Sequence, residues 1–521
     1  MIVPKIGYIK KTVPVLFFAL MTSWLIWWTG QNPLPDGYQN EFLHVGNTFD
    51  LYEALVELDW WHVRWYAYTS YWPWGFYAVP MVFLIPFGKS IQLLVLSNLL
   101  YLAVLMWSMI CLGERFKSPL AVYLLLLTPA VFGASTRFEP NFANVSMTAL
   151  GLLCLVESNF FQNRKWSIAW GLVFGTALML DRLTVLFYLG PACLYVFTKV
   201  KWRERHIRRG ILYSFILFLG CTIAYYREFF IRHSNELLSQ APVGEIDSAG
   251  TLLTSINPVP SMYYVLSLLD SQAGWAIGLL MLAGVFYAIK TRKEQEVLLL
   301  SATLPGVLFF TLVAKKQVYY TFPMLVPLAL LAGRFQKMSW IGLGCGGLLW
   351  LQHGVGLIPT SIPLEPSIPA KYVEPSYVLA RPPSLQSYRV SDVLASMLGQ
   401  PQEVIVFSED QGWYEGFVVL QLREQLNGHV RGVTADPIGI WEFAEEAEYI
   451  VWVRPTSVQD TFPQSGSMTA ELISDHYDVE TLPAVTKRIA DMESGFERVV
   501  DWNSDEDSIL SLYKRTSLDL E

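Results

Sequence analysis

The chain has 521 residues, of which 53% are hydrophobic and only 16% are charged, and its mean hydropathy is +0.35. A soluble globular protein of this size needs more charge on its surface, so the composition predicts a protein whose solvent is a membrane. The formal net charge of -8 gives no electrostatic support for binding nucleic acid, and this class of function is excluded.

Apolar runs begin near the N-terminus and recur through the first 358 residues. A membrane-spanning helix needs roughly 20 predominantly apolar residues, and about eleven segments meet this requirement. They cover approximately residues 12–30, 91–112, 119–136, 142–161, 166–181, 184–199, 210–227, 273–290, 296–314, 318–333 and 339–358. The predicted fold class is therefore a polytopic α-helical membrane protein with about eleven spans.

The basic residues between these runs predict which side each loop faces. Lysine and arginine are enriched in cytoplasmic loops, and every basic cluster follows an even-numbered span. The clusters are Arg115/Lys117, Arg164/Lys165, Lys199 to Arg209, Lys290/Arg292/Lys293 and Arg334/Lys337. This threading predicts a cytoplasmic N-terminus. It also predicts that the C-terminal part lies outside the cytoplasm, on the same side as the loops that follow odd-numbered spans, which we call the outer loops.

The first outer loop, residues 31–90, is long and rich in aromatic side chains. It begins with NPLPDGYQNEFLHVGN, continues into a segment with helical amphipathic spacing, and then holds five tryptophans between Trp60 and Trp74. Such rings favour the headgroup level of a membrane. The apolar run 72–87 is short and interrupted by prolines, so we interpret it as re-entrant or interfacial rather than spanning.

Ionisable side chains gather at the tips of four outer loops. They are Asp36, Glu41, His44 and Arg64 in the first loop, Arg137 and Glu139 in STRFEPN, Asp181 and Arg182 in MLDRL, and Lys315 and Lys316 in AKKQVYY. The cations would neutralise a phosphate, and a carboxylate would accept a proton from an attacking hydroxyl. The alternative for each is a structural role, for example a salt bridge of Arg64 with Asp59 or Glu57. Together they predict a mixed-charge cleft that suits a phosphate-bearing lipid head group.

The C-terminal part differs in composition from the rest of the chain. Residues 359–384 are rich in proline and predict an extended linker. Residues 385–521 predict an extracytoplasmic α/β domain with a partly parallel sheet, because short apolar strands alternate with a helix at about 414–426. The predicted strands lie in VIVFSED, HVRGVTA, AEYIVWV and SILSLYKR. Residues 385–521 contain no GxGxxG or P-loop motif, and acceptor recognition, a lid and a purely structural role stay open for this domain.

The order of motifs resembles the GT-C superfamily of polyprenyl-phosphate-sugar glycosyltransferases, which includes protein O-mannosyltransferases and aminoarabinose transferases of lipid A. PDGYQNE is similar to the segment of the first outer loop that carries the catalytic aspartate in these families, and Asp36 falls on that position. Gly37 stands where the families have a glutamate. Glu41 and Glu139 are therefore the candidates for a second carboxylate.

Two later motifs extend the resemblance over about residues 10–335. RFEPN is similar to the acidic or polar second outer loop of the superfamily. KQVYYTFPMLVPLALLAG is similar to a late motif in which a lysine and a tyrosine precede a proline-punctuated apolar helix. In the superfamily that lysine lies near the lipid phosphate, and Lys316 matches it here.

The resemblance implies transfer of a hexose or pentose from a polyprenyl-phosphate donor to a hydroxyl or amine of a lipid, glycan or protein acceptor. Asp36 is the implied general base, with Glu41 and Glu139 as further catalytic carboxylates. The implied substrate-binding residues are Arg64, Arg137, Asp181, Arg182, Lys315, Lys316 and Tyr319. The leaving group is already a phosphate monoester, so the reaction requires no metal or other cofactor. Glu41 and His44 have the spacing to share a divalent cation, which is the alternative.

Two other functions fit a polytopic membrane protein. A transporter or flippase of lipid-linked intermediates would favour mid-span charges and inverted repeats, and neither is evident in the sequence. A non-catalytic receptor or assembly factor would need no carboxylate in a closed pocket. The outer loops and C-terminal domain contain neither cysteine nor an N-x-S/T sequon, which favours a bacterial inner membrane over the endoplasmic reticulum.

Overall fold

The computed structural model describes residues 6–31, 39–69, 72–181, 184–239, 258–312, 318–356, 395–398, 403–408, 422, 429–434, 448–455, 496–503 and 508–516. The chain divides into two units. The helical unit comprises residues 1–33 and 47–381, and the small unit comprises residues 34–46 and 382–521. The predicted linker 359–384 lies outside the described residues.

Helices make up nearly all of the described chain before residue 357. In the first part they are α1 Ile6–Gln31, α2 Gln39–Val56, α3 Trp60–Thr69, α4 Gly75–Ala78, α5 Met81–Phe87, α6 Ile91–Leu96, α7 Asn98–Phe116, α8 Ala121–Leu126, α9 Pro129–Ser135 and α10 Pro140–Glu157. They continue as α11 Arg164–Leu180, α12 Leu186–Thr198, α13 Arg205–Ser239, α14 Pro258–Ser267, α15 Gly274–Thr291, α16 Glu294–Ser301, α17 Leu304–Leu312, α18 Leu325–Ala332 and α19 Gln336–Leu349. Two π-helical turns, Leu268–Gln272 and Trp350–Gly354, and a 3-10 helix, Val318–Met324, lie between or after them.

Several helices carry the length and apolar surface that a bilayer requires. Among the described residues, five segments are long and apolar enough to cross a membrane: Thr12–Gln31, Ile91–Phe116, Arg205–Arg232, Gly274–Thr291 and Glu294–Leu312. Large apolar side chains on them remain exposed, such as Leu16 at 63%, Phe286 at 72% and Leu308 at 63%. Surfaces of this kind need lipid, so the chain is an integral membrane protein. The total of about eleven spans stays a prediction.

Over its described residues, each predicted span overlaps one or more helices, but three of the spans are interrupted at prolines. The run 119–136 is divided into α8 and α9 just before Pro129, and the run 296–314 is divided into α16 and α17 just before Pro305. The run 318–333 starts as a 3-10 helix that contains Pro323. Proline removes a backbone donor and clashes with the preceding turn, which explains each break.

The helices α13 and α14 differ from the predicted pattern. The helix α13 extends beyond the predicted span 210–227 at both ends, and α14 was not predicted. The charges at Arg205–Arg209 and at Arg227 end the apolar run, although these side chains are compatible with a helix that leaves the membrane.

The contact between α11 and α13 is a backbone-to-backbone packing that glycine makes possible. A Cβ placed on Gly171 would lie 2.0 Å from the carbonyl oxygen of Ser214, and one on Gly175 would lie 2.8 Å from the Cβ of Cys221. Ser214 also donates its hydroxyl to the carbonyl oxygen of Ser167 at 2.5 Å. Small residues spaced four apart allow helices in membranes to approach this closely.

The loops with the predicted cytoplasmic cations lie at one end of the helical unit. Arg115 donates from Nη2 to Glu157 Oε2 at 2.8 Å, and Arg334 pairs with Glu296. A cleft of about 710 Å³ there is lined by Arg115, Glu157 and Glu294, among other residues. Several of these basic loops therefore lie close to one another, and both the threading and the side of the membrane that this end faces stay predictions.

The small unit contains a mixed five-stranded sheet. Its strands are β1 Glu403–Ser408, β2 His429–Thr434, β3 Tyr449–Pro455, β4 Phe496–Asn503 and β5 Ser508–Arg515. They lie in the order β2-β1-β3-β5-β4. The strand β1 pairs in parallel with β2 and β3, whereas β5 pairs antiparallel with β3 and β4. The sheet is partly parallel, as predicted, and β4 was missed. The predicted helix 414–426 lies outside the described residues apart from Leu422, so the α/β class stays a prediction.

Candidate functional site

Three outer loops meet at the end of the helical unit opposite the basic loops. Phe76 of α4, in the first outer loop, stacks on Phe138 with ring centroids 4.8 Å apart. A Cβ on Gly75 would lie 2.4 Å from the carbonyl oxygen of Met179, near the end of α11. The short helix α4 therefore packs against both the RFEPN loop and the MLDRL loop, and the predicted site residues Arg137, Glu139 and Asp181 lie in this region.

Glu139 is the most informative ionisable group of this region. It precedes Pro140, the first residue of α10, with an extended backbone at φ −138° and ψ 155°. Its side chain is buried, and Oε2 accepts a hydrogen bond from Nδ2 of Asn141 at 2.6 Å. Burial raises its pKa from the usual 4.5 to about 7, although the positive charge of Arg137 and the Asn141 hydrogen bond act in the opposite direction. A carboxyl group with this pKa can hold or release a proton at neutral pH.

Amide side chains fix the loops around Glu139. Asn98, the first residue of α7, donates from Nδ2 to the carbonyl oxygens of Ser135 at 3.0 Å and Arg137 at 2.7 Å. Asn144, one turn into α10, donates from Nδ2 to Asp181 Oδ2 at 2.6 Å. All five groups are buried. Buried polar groups are normally hydrogen-bonded. Here the bonds fix the backbone carbonyl of Arg137 and the carboxylate of Asp181.

Asp36, Arg182, Lys315 and Lys316 lie outside the described residues. Glu41 and His44 lie on α2 within the small unit, and both are buried. Tyr319 is half-buried, and its ring meets Tyr320 edge-on with centroids 4.9 Å apart. The roles predicted for all these residues stay predictions.

Arg64 is exposed on α3 and does not form either of the salt bridges considered from the sequence. Asp59 instead holds His62, with Oδ2 at 2.5 Å from Nδ1. This hydrogen bond lowers the pKa of the Asp59 carboxyl. Among the described residues, Arg64 lines a cleft with residues of α13, and the cluster around Glu139 does not contribute to that cleft.

The structure adds polar residues near this face that the sequence analysis missed. Gln272, in the π-helical turn before α15, donates from Nε2 to Ser267 Oγ at 2.9 Å and to Thr321 Oγ1 at 3.0 Å. Asp270 of the same turn is also buried. Lys89, before α6, donates to Glu53 at 2.9 Å. The signal was available for Asp270 and Gln272, since polar residues inside an apolar stretch are costly and π-helical turns are frequent at functional sites.

The described part of the chain provides no set of ligands for a metal ion. There, no group of three or more His, Cys, Asp or Glu side chains is placed to hold a metal ion. The pair Glu41 and His44 therefore stays the sequence-based alternative for a cation.

Comparison with known proteins gives a structural likeness without a sequence match. No protein-family model matches the sequence, and no curated protein matches it. The apo structure of ArnT from Cupriavidus metallidurans is similar with a TM-score of 0.57 and 13% identity, over 96% of this chain and 98% of that one. The structure of the same protein bound to undecaprenyl phosphate gives a TM-score of 0.56 and 13% identity over the same shares.

A third structure has a weaker likeness. It is an oligosaccharyltransferase from Archaeoglobus fulgidus tethered with an acceptor peptide, with a TM-score of 0.44 and 10% identity over 99% of this chain and 75% of that one. The likeness shows that the chain has a fold similar to that of ArnT, and the predicted resemblance in fold is confirmed.

Proposed function

We propose that this chain is a membrane glycosyltransferase that moves a sugar from a polyprenyl-phosphate donor to an extracytoplasmic acceptor. Its fold is similar to that of ArnT, and one of the similar structures is bound to undecaprenyl phosphate. The observation that carries the proposal is the buried Glu139 beside Arg137 where three loops meet. A fold by itself hosts many activities, and this cluster supplies the chemistry that a transferase needs.

Asp36 is the general base of the proposed reaction. The acceptor hydroxyl or amine loses a proton to the Asp36 carboxylate, and its oxygen or nitrogen forms a bond to the anomeric carbon of the donor sugar. The bond from that carbon to the phosphate oxygen breaks, and both electrons stay on the polyprenyl phosphate. The attack comes from the side opposite the phosphate, so the configuration at the anomeric carbon inverts. A positioned base of this kind contributes typically about 10²–10⁴-fold to the rate.

The remaining site residues bind and orient the two substrates. Arg137, Arg182, Lys315 and Lys316 neutralise the donor phosphate, which must carry more charge as the bond breaks. Asp181 and Tyr319 would accept or donate hydrogen bonds to sugar hydroxyls. Glu139, with its pKa near 7, and Glu41 are the two candidates for a second carboxylate that holds the acceptor or assists the proton transfer. Arg64 stays a weaker candidate, since it lines a cleft outside this cluster.

Transfer of radiolabelled sugar from a polyprenyl-phosphate donor tests the role of Asp36. Membranes containing wild type, Asp36→Asn or the matched control Glu57→Gln are compared at equal amounts of folded protein. We expect at least about 10²-fold slower transfer with Asp36→Asn, because the base is lost. The control should transfer at the wild-type rate, since Glu57 is exposed at the end of α2 in the same loop. Equal transfer by all three would remove Asp36 from the mechanism and leave Glu41 and Glu139.

A further inference from the structure

A second polar cleft lies on the side of the helical unit, between α3 and α13. It has a volume of about 630 Å³ and is lined by Trp61, Arg64, Trp65, Arg227, Glu228 and Arg232. Neither Glu139 nor Asp181 lines it. The cleft is thus built by the first outer loop and by the C-terminal half of α13, apart from the cluster proposed for catalysis.

The charges in this cleft favour an anion. Three of the lining residues are arginines, and the one carboxylate, Glu228, lies 4.0 Å from Nε of Arg232. Glu228 therefore offsets the charge of one arginine, Arg232. Arg64 and Arg227 have exposed side chains and add positive charge to the cleft. Guanidinium groups match phosphate oxygens in a planar, two-pronged geometry that lysine cannot offer.

The surface around the arginines is apolar and exposed. On α13, Ile223 is 56% exposed and Ile231 is 64% exposed, and on α3 the tryptophans Trp60 and Trp61 are 66% and 71% exposed. In an integral membrane protein such side chains contact acyl chains, and tryptophan rings lie at the headgroup level. The positive cleft is thus bordered by lipid-facing residues, an arrangement that a small soluble anion does not need.

We propose that this cleft binds the head group of an anionic glycerophospholipid, with Arg64 and Arg227 on its phosphate and the acyl chains along α13. The occupant is a bilayer lipid, since the phosphate site and the apolar surface adjoin each other. The bound lipid contacts both α3 and α13 and so stabilises the position of the first outer loop relative to α13. This site does not depend on the proposed transferase reaction, because its binding is measured without donor or acceptor.

Binding of short-chain lipids to the full-length protein tests the site. Delipidated protein in nonionic detergent is titrated with dioctanoyl phosphatidylglycerol, dioctanoyl phosphatidylcholine or inorganic phosphate, and bound ligand is counted by native mass spectrometry. We expect one saturable phosphatidylglycerol site whose Kd is at least about tenfold lower than that of phosphatidylcholine. The double variant Arg64→Gln, Arg227→Gln should raise this Kd at least about tenfold.

A matched control uses the other end of the same helix. The double variant Arg208→Gln, Arg209→Gln removes the same number of exposed arginines, both of them from α13, and should keep the wild-type Kd. Thermal unfolding without lipid should be the same for all three proteins, since the arginines are exposed. The proposal is overturned if the Arg64/Arg227 variant binds phosphatidylglycerol like wild type or if the control loses the same site. Equal affinity for phosphatidylcholine, or for inorganic phosphate alone, would also overturn the assignment to an anionic lipid.

Discussion

Glu139 combines a buried carboxyl group with a nearby cation and a local hydrogen-bond donor. The extended backbone before Pro140 turns this side chain inward at the start of α10. Asn141 binds one of its oxygens, and Asn98 fixes the carbonyl of Arg137 two residues earlier. The cluster is therefore positioned by its own loop and by α7.

The raised pKa of Glu139 predicts a pH-dependent stability. The folded protein binds this proton more tightly than the unfolded chain does, because the pKa rises from 4.5 to about 7 on folding. The contribution is complete below pH 4.5 and is lost as pH rises through about 7. Its size is about 3 kcal/mol for a shift of this extent. We expect thermal stability of wild type in detergent to fall between about pH 4 and pH 8 more than that of Glu139→Gln.

The control for this measurement is the exposed Glu57. Glu57→Gln should keep the wild-type pH dependence, because the Glu57 side chain is exposed and folding does not remove it from water. Parallel pH profiles for wild type and Glu139→Gln would contradict the buried, proton-holding state of Glu139.

At the residue scale, the sequence predicted which loops carry the candidate site residues but not which side chains contact one another. Arg137, Glu139 and Asp181 were predicted from charges at loop tips, and their loops do come together. Asn98 and Asn144 were missed, because uncharged amides inside apolar runs look like ordinary helix residues until their partners are known. Asp36 rests on resemblance alone, since it lies outside the described residues.

The packing of α11 on α13 leads to a prediction about glycine. Gly171→Ala would place a methyl group 2.0 Å from the carbonyl oxygen of Ser214, so the two helices must separate. We expect a loss of about 1–3 kcal/mol in the free energy of unfolding, as for overpacked cores. Denaturant unfolding in detergent measures this loss.

The same helix pair provides a control. Gly220 lies on α13, the helix that packs against Gly171, but a Cβ there would have no atom within 4 Å. Gly220→Ala should change stability by less than about 1 kcal/mol, in the stabilising direction, because alanine is the better helix former. An unchanged stability of Gly171→Ala would contradict the close approach of the two helices.

Helices and strands were predicted well where the hydrophobic periodicity was regular. They were predicted poorly where prolines, charged residues or a β-bulge interrupted it. Long apolar runs indicated the helices, whereas the breaks near Pro129 and Pro305 follow from local backbone chemistry within those runs. The strand β4 was missed because FERVVDWN carries charges and has a β-bulge between Arg498 and Val500. A bulge shifts the alternation of the strand by one residue and hides its period from the sequence.

At the scale of the whole molecule, composition predicted the membrane class and the motif order predicted the GT-C-type fold. The sequence could not define the contacts among outer loops, because these contacts join segments far apart in the chain. The side of the membrane on which each loop lies is predicted from the charge bias of the loops.

The predicted orientation can be tested with reporter fusions in a bacterial host. Alkaline phosphatase, which is active only outside the cytoplasm, should be active when fused after Glu521 and inactive when fused after Lys201. The basic loop at Lys201 follows an even-numbered span, and the small unit follows the last predicted span. The opposite pattern of activity would invert the threading and would place the Glu139 cluster in the cytoplasm.

The most direct measurement of the central claim follows the fate of a radiolabelled sugar on its polyprenyl phosphate in proteoliposomes that contain the purified chain and a membrane extract as acceptor source. We predict that the label moves to an acceptor and that an equal amount of free polyprenyl phosphate appears, because a transferase breaks the bond between sugar and phosphate. Label that stays on the polyprenyl phosphate while it crosses the bilayer would contradict the account and identify a flippase instead.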